Sequence, residues 1–440
     1  MNQTFIEDSE DLYDRLKSFI PAAGADSKIS STVTEILDFV KRGGNEAILK
    51  KTLLYDGVSL SVDEISIKPE ELTDSLLSLS PEQTQALEEA ISNVTEFHKQ
   101  SYPQNWQKEN LHGGVVGELY YPINRVGIYV PGGQVPLVST VIMTVILAKV
   151  AGVSEIAVTT PPNQKGEISP FLLAALELSG INEVYKIGGA QAIGALAYGS
   201  ETIRPVDKIF GPGNAFVNEA KRQVFGEVGI DLLPGPSEVM VIADSSANPA
   251  FVAAALLAQA EHGSGKEKIY LLFQDKKLFP EIVQEIDNQL VNCTHKDSIR
   301  NVLESGFLAV FLPNRERIAK VANYIAPEHL ELQVRPEASD YYLKEITTAG
   351  AFLVGHETPT SVGDFAAGPS HVLPTGRSSR FSSGLRLQDF LRRSSYIRYD
   401  SEACHKASHA IEQFASMEKL DAHGHAHKLR TLSNRPFSNQ

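Results

Sequence analysis

Apolar strand patterns alternate with apolar helix patterns over most of the chain after Val126, and this alternation restricts the possible folds more than any other feature. It is interrupted at the Pro- and Gly-rich residues 233–236 and resumes at Glu238. Strands joined by single helices form parallel sheets with helices on both faces. The pattern therefore predicts two successive α/β units with a junction at residues 233–236.

The predicted elements can be placed by residue number. In the first unit the pattern predicts strands over 126–130, 155–160, 183–187 and 208–210, and helices over 137–149, 168–179, 191–197 and 215–225. In the second unit it predicts strands over 238–243, 268–273, 307–312 and 349–354, and helices over 249–262 and 315–325. Outside these units, helices are predicted over 31–44, 84–100, 387–393, 401–420 and 422–429. The residues after 380 are therefore expected to form a helical tail.

Composition and charge exclude several classes of protein. The 40 Lys and Arg against 54 Asp and Glu give a formal net charge of -14, which argues against a nucleic-acid-binding protein. The uncharged stretch between Arg125 and Lys149 is broken by Pro131 and Pro136, so it is too short to span a membrane. Two cysteines cannot form a disulfide framework or a four-cysteine zinc site. The acidic N-terminus lacks the pattern of a signal peptide, and we expect a cytoplasmic protein.

Three Gly-rich loops follow predicted strands of the first unit, at 131–133, 188–191 and 211–214. In open α/β sheets ligands bind at the carboxyl ends of the strands, and glycine lets a phosphate approach the backbone closely. None of the loops completes the G-x-G-x-x-G pattern, and in the third loop Phe216 stands where the third glycine would be. Each loop alone could be a tight turn; the three together favour a ligand-binding edge without naming the ligand.

Several polar residues are candidates for metal binding or catalysis. Gln259 and His262 are three apart on a predicted helix and share a face, but Gln is an uncommon metal ligand. Glu328 and His329 are adjacent in a predicted loop, where they could form an acid/base pair or a surface turn. Asp364 lies in a Gly-flanked loop that would suit a metal ligand or an Asx-turn.

The other histidines are expected to be less informative. The predicted tail contains five of the 12, at positions 405, 409, 423, 425 and 427. His405 and His409 are four apart beside Cys404, but their helix is polar, so a solvated face explains them. The last three alternate and cannot all share one helix face. His98, near the end of a predicted helix, is also expected to be solvated.

Taken together, the motifs resemble those of the L-histidinol dehydrogenase family over nearly the whole chain. In the order of the family they are VGIYVPGG (126–133), GGAQAIG (188–194), KIFGPGN (208–214), LPGPSEV (233–239), LAQAEHG (257–263), APEHLEL (326–332), SVGDFAA (361–367), HVLPT (371–375), RFSSGL (380–385) and LDAH (420–423). Each motif is modest alone, and ten in one order are very specific. The resemblance implies a cytoplasmic, NAD- and zinc-dependent enzyme that oxidises L-histidinol to L-histidine through bound L-histidinaldehyde, at the end of histidine biosynthesis.

The resemblance also implies a role for each matching residue. Catalysis would fall on Glu328 and His329, and NAD contacts on Tyr129, Gln191 and Asn214. One zinc ion per subunit would be held by Gln259, His262, Asp364 and His423. Substrate contacts would be Ser237, Gln259, His262, Glu328, His329, Asp364, His371, Glu418 and His423. The resemblance implies a homodimer with shared active sites, in which the tail carrying Glu418 and His423 reaches into the site of the partner.

The expected fold is two successive, incomplete Rossmann-like parallel-sheet domains with a helical N-terminal segment and a helical C-terminal tail. We expect an N-terminal helical arm over 1–25 and a tail over 381–440. Residues 26–125 and 237–380 would form the domain with the zinc and substrate site, and residues 126–236 the domain with the NAD site.

Few positions depart from the family pattern, and among them His425 and His427 are extra histidines in the tail. Pro369 and Ser370 precede His371, where an Asn usually stands, and Thr360 replaces a common Glu. The alternative functions are a paralogous zinc and NAD dehydrogenase of another polar alcohol such as sulfopropanediol, a catalytically silent binding protein, and a metal buffer that uses the tail. The retained Glu418 and His371 favour histidinol, and the retained catalytic pair argues against a silent protein.

Overall fold

The computed structural model describes residues 5–20, 27–132, 136–263 and 265–432. Its strands are β1 (Phe5–Glu7), β2 (Trp106–Glu109), β3 (Val115–Pro122), β4 (Arg125–Tyr129), β5 (Glu155–Thr159), β6 (Val184–Tyr185), β7 (Lys208–Phe210), β8 (Gly229–Ile230), β9 (Glu238–Ala243), β10 (Lys268–Phe273), β11 (Phe307–Phe311), β12 (His329–Gln333), β13 (Ala351–Val354) and β14 (Leu391–Arg398). Gly133 of the first predicted loop lies outside the described residues, as do 1–4 and 21–25 of the predicted arm and 433–440 of the tail.

The helices account for most of the remaining chain. They are α1 (Leu12–Phe19), α2 (Ser27–Asp56), α3 (Pro69–Ser75), α4 (Pro81–Gln100), α5 (Val138–Ala151), α6 (Pro170–Leu178), α7 (Gly189–Tyr198), α8 (Ala215–Val224), α9 (Pro249–Ala260), α10 (Leu278–Leu290), α11 (Lys296–Gly306), α12 (Arg315–Ile325), α13 (Pro336–Glu345), α14 (Thr360–Phe365), α15 (Ser401–Lys406), α16 (Ser408–Glu418) and α17 (Asp421–Leu432). Among the described residues, no helix is both long and apolar enough to cross a membrane.

Two parallel sheets share one strand order. The first sheet has five strands in the order β6-β5-β4-β7-β8, and the second has six in the order β1-β11-β10-β9-β12-β13. Numbered from β4, the first sheet has the order 3-2-1-4-5, which is the Rossmann order without its sixth strand. Numbered from β9, the second sheet has the same order, with β1 added beside β11. The prediction of two incomplete Rossmann-like units is therefore confirmed.

Helices cover both faces of each sheet because the strands are apolar throughout. On β9, Val239 and Val241 pack towards α9, α10 and α11, while Met240 and Ile242 pack towards α1, α12 and α13. The first sheet is covered in the same way by α4, α5 and α6 on one face and by α2, α7 and α8 on the other. Near-continuous apolar runs are typical of parallel strands buried on both faces.

The N-terminal segment differs from a purely helical arm. It contains α1, but it begins with β1, which pairs in parallel with β11 at the edge of the second sheet. Ile6 is buried against the core on one face, while Phe5 contacts Phe273 on the other. Alternating apolar side chains on a short edge strand explain why this segment pairs with the sheet.

The helices before the first sheet pack differently from the predicted domain grouping. Contacts join α2 to α7 and α8, α3 to α6, and α4 to α5, so these helices cover the first sheet. The domain prediction had instead grouped them with residues 237–380. The reason for α2 is its apolar stripe, which includes Val33 and Leu37 and is buried against α7. This helix also continues beyond its predicted end. It bends at Gly44, whose φ of 50° glycine adopts readily, and resumes as far as Asp56.

Two further predictions were wrong. The residues predicted as a helix over 387–393 form a short 3-10 turn at Leu387–Phe390 and then β14, which pairs antiparallel with β3 in a small third sheet. His98 is buried, because it continues the inward-facing row of Ala90 and Val94 on α4, and burial lowers its pKa to about 4. The predicted helix over 401–420 divides into α15 and α16, on which His405 and His409 are exposed as expected.

Candidate active site

A chain of contacts joins the carboxyl edge of the first sheet to the amino edge of the second. Thr140 lies in the first turn of α5, which follows β4, and its Oγ1 is 3.5 Å from Nε2 of His371. His371 Nδ1 is 3.2 Å from the backbone oxygen of Asp364, and Asp364 Oδ1 is 3.5 Å from Nε2 of His329. His329 is the first residue of β12. The candidate residues of the second unit therefore lie beside the first turn of α5 in the first.

Glu328 and His329 are buried together at the amino end of β12, with only 5% and 7% of their surface exposed. The backbone N–H of Glu238 donates to Oε2 of Glu328 at 2.7 Å, and His329 Nδ1 lies 3.3 Å from the carbonyl oxygen of Glu238. Because a carbonyl oxygen only accepts, Nδ1 carries a proton and Nε2 is directed towards Asp364. The pair is therefore not a surface turn, and the sheet itself fixes both side chains.

The three ionisable groups shift one another's pKa values. Burial raises the pKa of Glu328 to about 7, against the opposing effect of His329. Burial acts to lower the pKa of His329, but the carboxylates of Glu328 and Asp364 outweigh it and raise this pKa to about 9. Burial acts to raise the pKa of Asp364, yet contact with His329 holds it below its usual value. The arrangement is a proton-transfer group with a carboxylate on either side.

Three of the four expected metal ligands approach the same place. Helix α9 contacts α14, which carries Asp364, and Gln259 lies in the last turn of α9. Gln259 is 3% exposed, and its side-chain Nε2 has no hydrogen-bond partner in the described structure. His262 follows this helix on the loop towards β10, and its charge acts on both Asp364 and His371. These residues therefore lie on neighbouring segments beside the candidate pair Glu328 and His329.

The expected ligands of the tail lie elsewhere. Glu418 ends α16 and His423 lies in α17, and both side chains are exposed. The tail helices α15, α16 and α17 pack chiefly on one another. Within the described residues, no group of three or more His, Cys, Asp or Glu side chains could hold a metal ion. A single chain therefore does not assemble the four expected ligands.

The expected NAD contacts lie along the carboxyl edge of the first sheet. Tyr129 ends β4, and its hydroxyl accepts from the backbone N–H of Gly189 at 3.2 Å. Asn214 caps α8, because its Oδ1 accepts from the first backbone N–H groups of that helix. Gly211 has a φ of 108°, and a Cβ there would lie 2.0 Å from the backbone oxygen of Tyr129. The N-terminus of α8 thus opens at the switch point between β4 and β7, where anionic ligands bind favourably, and the start of α7 meets the end of β4 through Tyr129.

Sequence reasoning missed several buried carboxyl groups. Burial and the charge of Glu328 raise the pKa of Glu238 to about 8. Glu331 is buried on β12 and bonds the start of α14, while Asp56 bonds Gln191 at the first sheet. A signal existed for Glu238, since it is an acidic residue at the start of an otherwise apolar strand pattern. Glu331 gives a weaker one, since it alternates with leucines between two other polar residues. Asp56 has no such signal, because it is followed by Gly57 and an Asp-Gly pair is common in turns.

Comparisons with known proteins identify the family of the chain. The family model described as histidinol dehydrogenase matches residues 22–431. Histidinol dehydrogenase of Gloeobacter violaceus is 42% identical over 400 residues, covering 91% of this chain and 89% of that protein. The enzyme of the same name from Clostridium acetobutylicum is 39% identical over 404 residues, covering 92% and 93%. A crystal structure of histidinol dehydrogenase from Elizabethkingia anophelis superposes with a TM-score of 0.92 at 35% identity, covering 98% of each chain. On this basis the chain belongs to the histidinol dehydrogenase family.

Proposed function

We propose that this protein oxidises L-histidinol to L-histidine in two NAD-dependent steps, with L-histidinaldehyde kept bound between them, as the end of histidine biosynthesis. The observation that carries the proposal is the buried Glu328–His329 pair beside Asp364. Two successive oxidations need a group that takes a proton from an alcohol and a group that activates water, and an imidazole next to a carboxylate supplies both.

The donor set fits a zinc ion. The buried Nε2 of Gln259 has no partner, and turning the side-chain amide over would put its oxygen, which can bind a metal ion, in that place. Asp364 and His262, whose charges interact, add a carboxylate and an imidazole. Oxygen and imidazole nitrogen ligands suit zinc, and three or four protein ligands leave room for substrate. We propose that these three residues, together with His423 from a second copy of the chain, hold one zinc ion per subunit. When bound, it would fix the imidazole and amine of the substrate.

In the first oxidation, the neutral form of His329, which predominates only above its pKa of about 9, would take the proton of the substrate hydroxyl on Nε2, and bound NAD would accept the carbon-bound hydrogen as hydride. The Nδ1–H of His329 is held by the carbonyl of Glu238, so the ring keeps one orientation during proton transfer. The product is the aldehyde. Its enclosure matters because a free aldehyde reacts with other amines.

In the second oxidation, Glu328 takes a proton from water, the water oxygen adds to the aldehyde carbon, and His329 returns the proton of the first step to the aldehyde oxygen. The resulting diol loses a proton to His329 and a hydride to a second NAD, which gives the carboxylic acid. The backbone N–H of Glu238 orients the Glu328 carboxylate for this step. The raised pKa of Glu328, about 7, suits a base that works near neutral pH.

We further propose a homodimer with shared active sites. In the described structure the tail carries exposed apolar side chains, including Phe414 and Met417 on α16, close to Glu418. Clustered exposed apolar residues are typical of a surface that a partner covers. A dimer in which the tail packs on the second subunit would bury these side chains and bring Glu418 and His423 to the site.

The first test is the amount of NADH formed per L-histidinol consumed, with and without a chelator. The proposal requires two NADH per substrate, loss of activity on chelation, and recovery with zinc. No NADH from histidinol, but NADH from sulfopropanediol, would instead assign the protein to a paralogous alcohol dehydrogenase. No dependence on added metal would refute the zinc site alone.

A further inference from the structure

Asp56 is a carboxyl group at the carboxyl edge of the first sheet that the steps above do not use. It ends α2, and its Oδ2 accepts from Nε2 of Gln191 at 3.3 Å. Gln191 lies in the first turn of α7, which begins just after β6. A helix that precedes the sheet in sequence thus brings an acidic residue to the edge where NAD is proposed to bind.

The surroundings of Asp56 are unusual for a carboxylate. Burial is the one cause that raises its pKa, to about 6, so no cation in the described structure compensates its charge. Gln191 is 1% exposed, and its Oε1 has no hydrogen-bond partner among the described residues. Half-buried carboxylates without a cation are costly, and together with an unsatisfied amide they mark a place where a ligand supplies the missing donors.

The first sheet also lacks an acidic residue at the position that commonly provides one. In Rossmann-type sheets an Asp or Glu at the end of the second strand accepts from the 2′-hydroxyl of the adenosine ribose. The second strand here is β5, which ends at Thr159 and continues with Thr160 and Pro161. Its neighbour is β6, which leads into α7 and Gln191. Asp56 therefore lies one strand away from the end of β5, where such an acidic residue would be expected.

Asp56 also lies on the side of the edge that faces Tyr129. The charge of Asp56 contributes to the raised pKa of Tyr129, whose hydroxyl accepts from Gly189 at the start of α7. Tyr129, Gln191 and Asp56 therefore form one polar group around the start of α7. Two of its three members are the residues expected to contact NAD.

We propose that Asp56 accepts a hydrogen bond from the adenosine ribose of NAD and thereby discriminates against NADP. A carboxylate has several acceptor positions, so one oxygen can remain on Gln191 while another accepts from a ribose hydroxyl. The 2′-phosphate of NADP replaces this donor with a negative charge and would face a carboxylate that no cation neutralises. The inference rests on the proposal that NAD binds at this edge.

The test compares Asp56→Asn with Asp38→Asn as a matched control. Asp38 is exposed on the same helix, so both variants lose one negative charge, but Asp38 lies near Tyr198 at the far end of α7. Binding of NADH and NADPH is measured by fluorescence titration of the full-length protein, and the kcat/KM values for NAD and NADP by absorbance. We expect Asp56→Asn to raise the preference for NADPH over NADH by roughly tenfold or more, since like charges across an interface are strongly unfavourable. Asp38→Asn should leave it unchanged.

The inference is overturned if Asp56→Asn weakens both dinucleotides equally, or if the two variants shift the preference by the same factor. A second measurement does not depend on the variant being folded. The wild-type protein should bind the 2′-deoxy analogue of NADH more weakly than NADH, and equal affinities would contradict the proposed hydrogen bond. If the wild type binds NADH yet oxidises no histidinol, the proposed substrate fails while the role of Asp56 remains testable.

Discussion

Replacing Glu331 with Gln should destabilise the protein and displace Asp364. Glu331 is 1% exposed on β12, two residues after His329. Its Oε1 accepts from the backbone N–H of Thr360 at 2.7 Å and from the Thr360 hydroxyl at 2.8 Å. Thr360 begins α14, which carries Asp364 one turn later. The carboxylate therefore holds the start of the short helix on which a proposed zinc ligand lies.

The size of the effect follows from the two hydrogen bonds. A hydrogen bond to a charged group contributes about 1.5–3 kcal/mol and a neutral one about 0.5–1.5 kcal/mol, so Glu331→Gln should weaken each bond by about 1 kcal/mol. Gln333 Nε2 donates to the other oxygen of Glu331 at 3.0 Å, and a new amide NH₂ there would oppose it. The free energy of unfolding should therefore fall by about 2–3 kcal/mol. Thr360→Val removes one donor and should cost about half as much.

Urea unfolding and zinc titration of the two variants test this reasoning. Glu304→Gln is the matched control, since Glu304 is exposed on α11 and loses the same charge. A stability for Glu331→Gln within about 0.5 kcal/mol of the control would refute the capping argument, because surface substitutions stay in that range. Lower stability with unchanged zinc affinity would retain the cap but refute its link to Asp364.

Three further changes have defined outcomes. The rate of oxidation of supplied L-histidinaldehyde should fall about tenfold per pH unit below the Glu328 pKa of about 7, because the protonated carboxyl group cannot accept a proton from water. A rate that stays constant down to about pH 5 would contradict this. Lys221→Met should lower the free energy of unfolding by about 3–5 kcal/mol, because it leaves the fully buried Asp231 without its cation. It should also weaken NADH binding, because it frees the backbone oxygen of Gly211. A change in the free energy of unfolding under about 1 kcal/mol would contradict this reasoning. Mixing inactive Glu328→Gln and His423→Asn subunits should restore about a quarter of the wild-type activity, because half of the dimers are then mixed and each mixed dimer holds one intact site of its two. No recovery after verified subunit exchange would argue against active sites shared between subunits.

The architecture of the two sheets was predictable because apolar runs that alternate with helices leave few other solutions. The sequence pattern placed Glu328 and His329 in a loop and did not predict β12, in which His329, Glu331 and Gln333 alternate with leucines. Such alternation normally indicates a strand with one solvated face, whereas here all five residues are buried. In the proposed function, this polar face is buried because it carries the active site. Local pattern therefore fails at β12 for a functional reason.

Packing between distant segments accounts for the other differences. The helices before the first sheet show ordinary amphipathic spacing, and nothing in that spacing says which sheet they cover. His98 was expected to be solvated because its sequence neighbours are polar, but its neighbours one and two turns earlier, Val94 and Ala90, face inwards. The residue identities of the proposed site came from the resemblance, and the structure adds the contacts among Glu238, Glu328, His329 and Asp364.

The two sheets share one strand order but present opposite edges to the site. In the first sheet, Tyr129 and the starts of α7 and α8 lie at the carboxyl edge, as expected for an open α/β sheet. In the second sheet, Glu328 and His329 lie at the amino edge, where no such rule places a ligand. Hydride transfer requires the reacting carbon and the dinucleotide to be in contact, so two edges must face each other. The contact between Thr140 and His371 is where they meet. In the proposed function, a proton-transfer pair on one sheet and a cofactor edge on the other would thus act on one substrate without either sheet having to hold both.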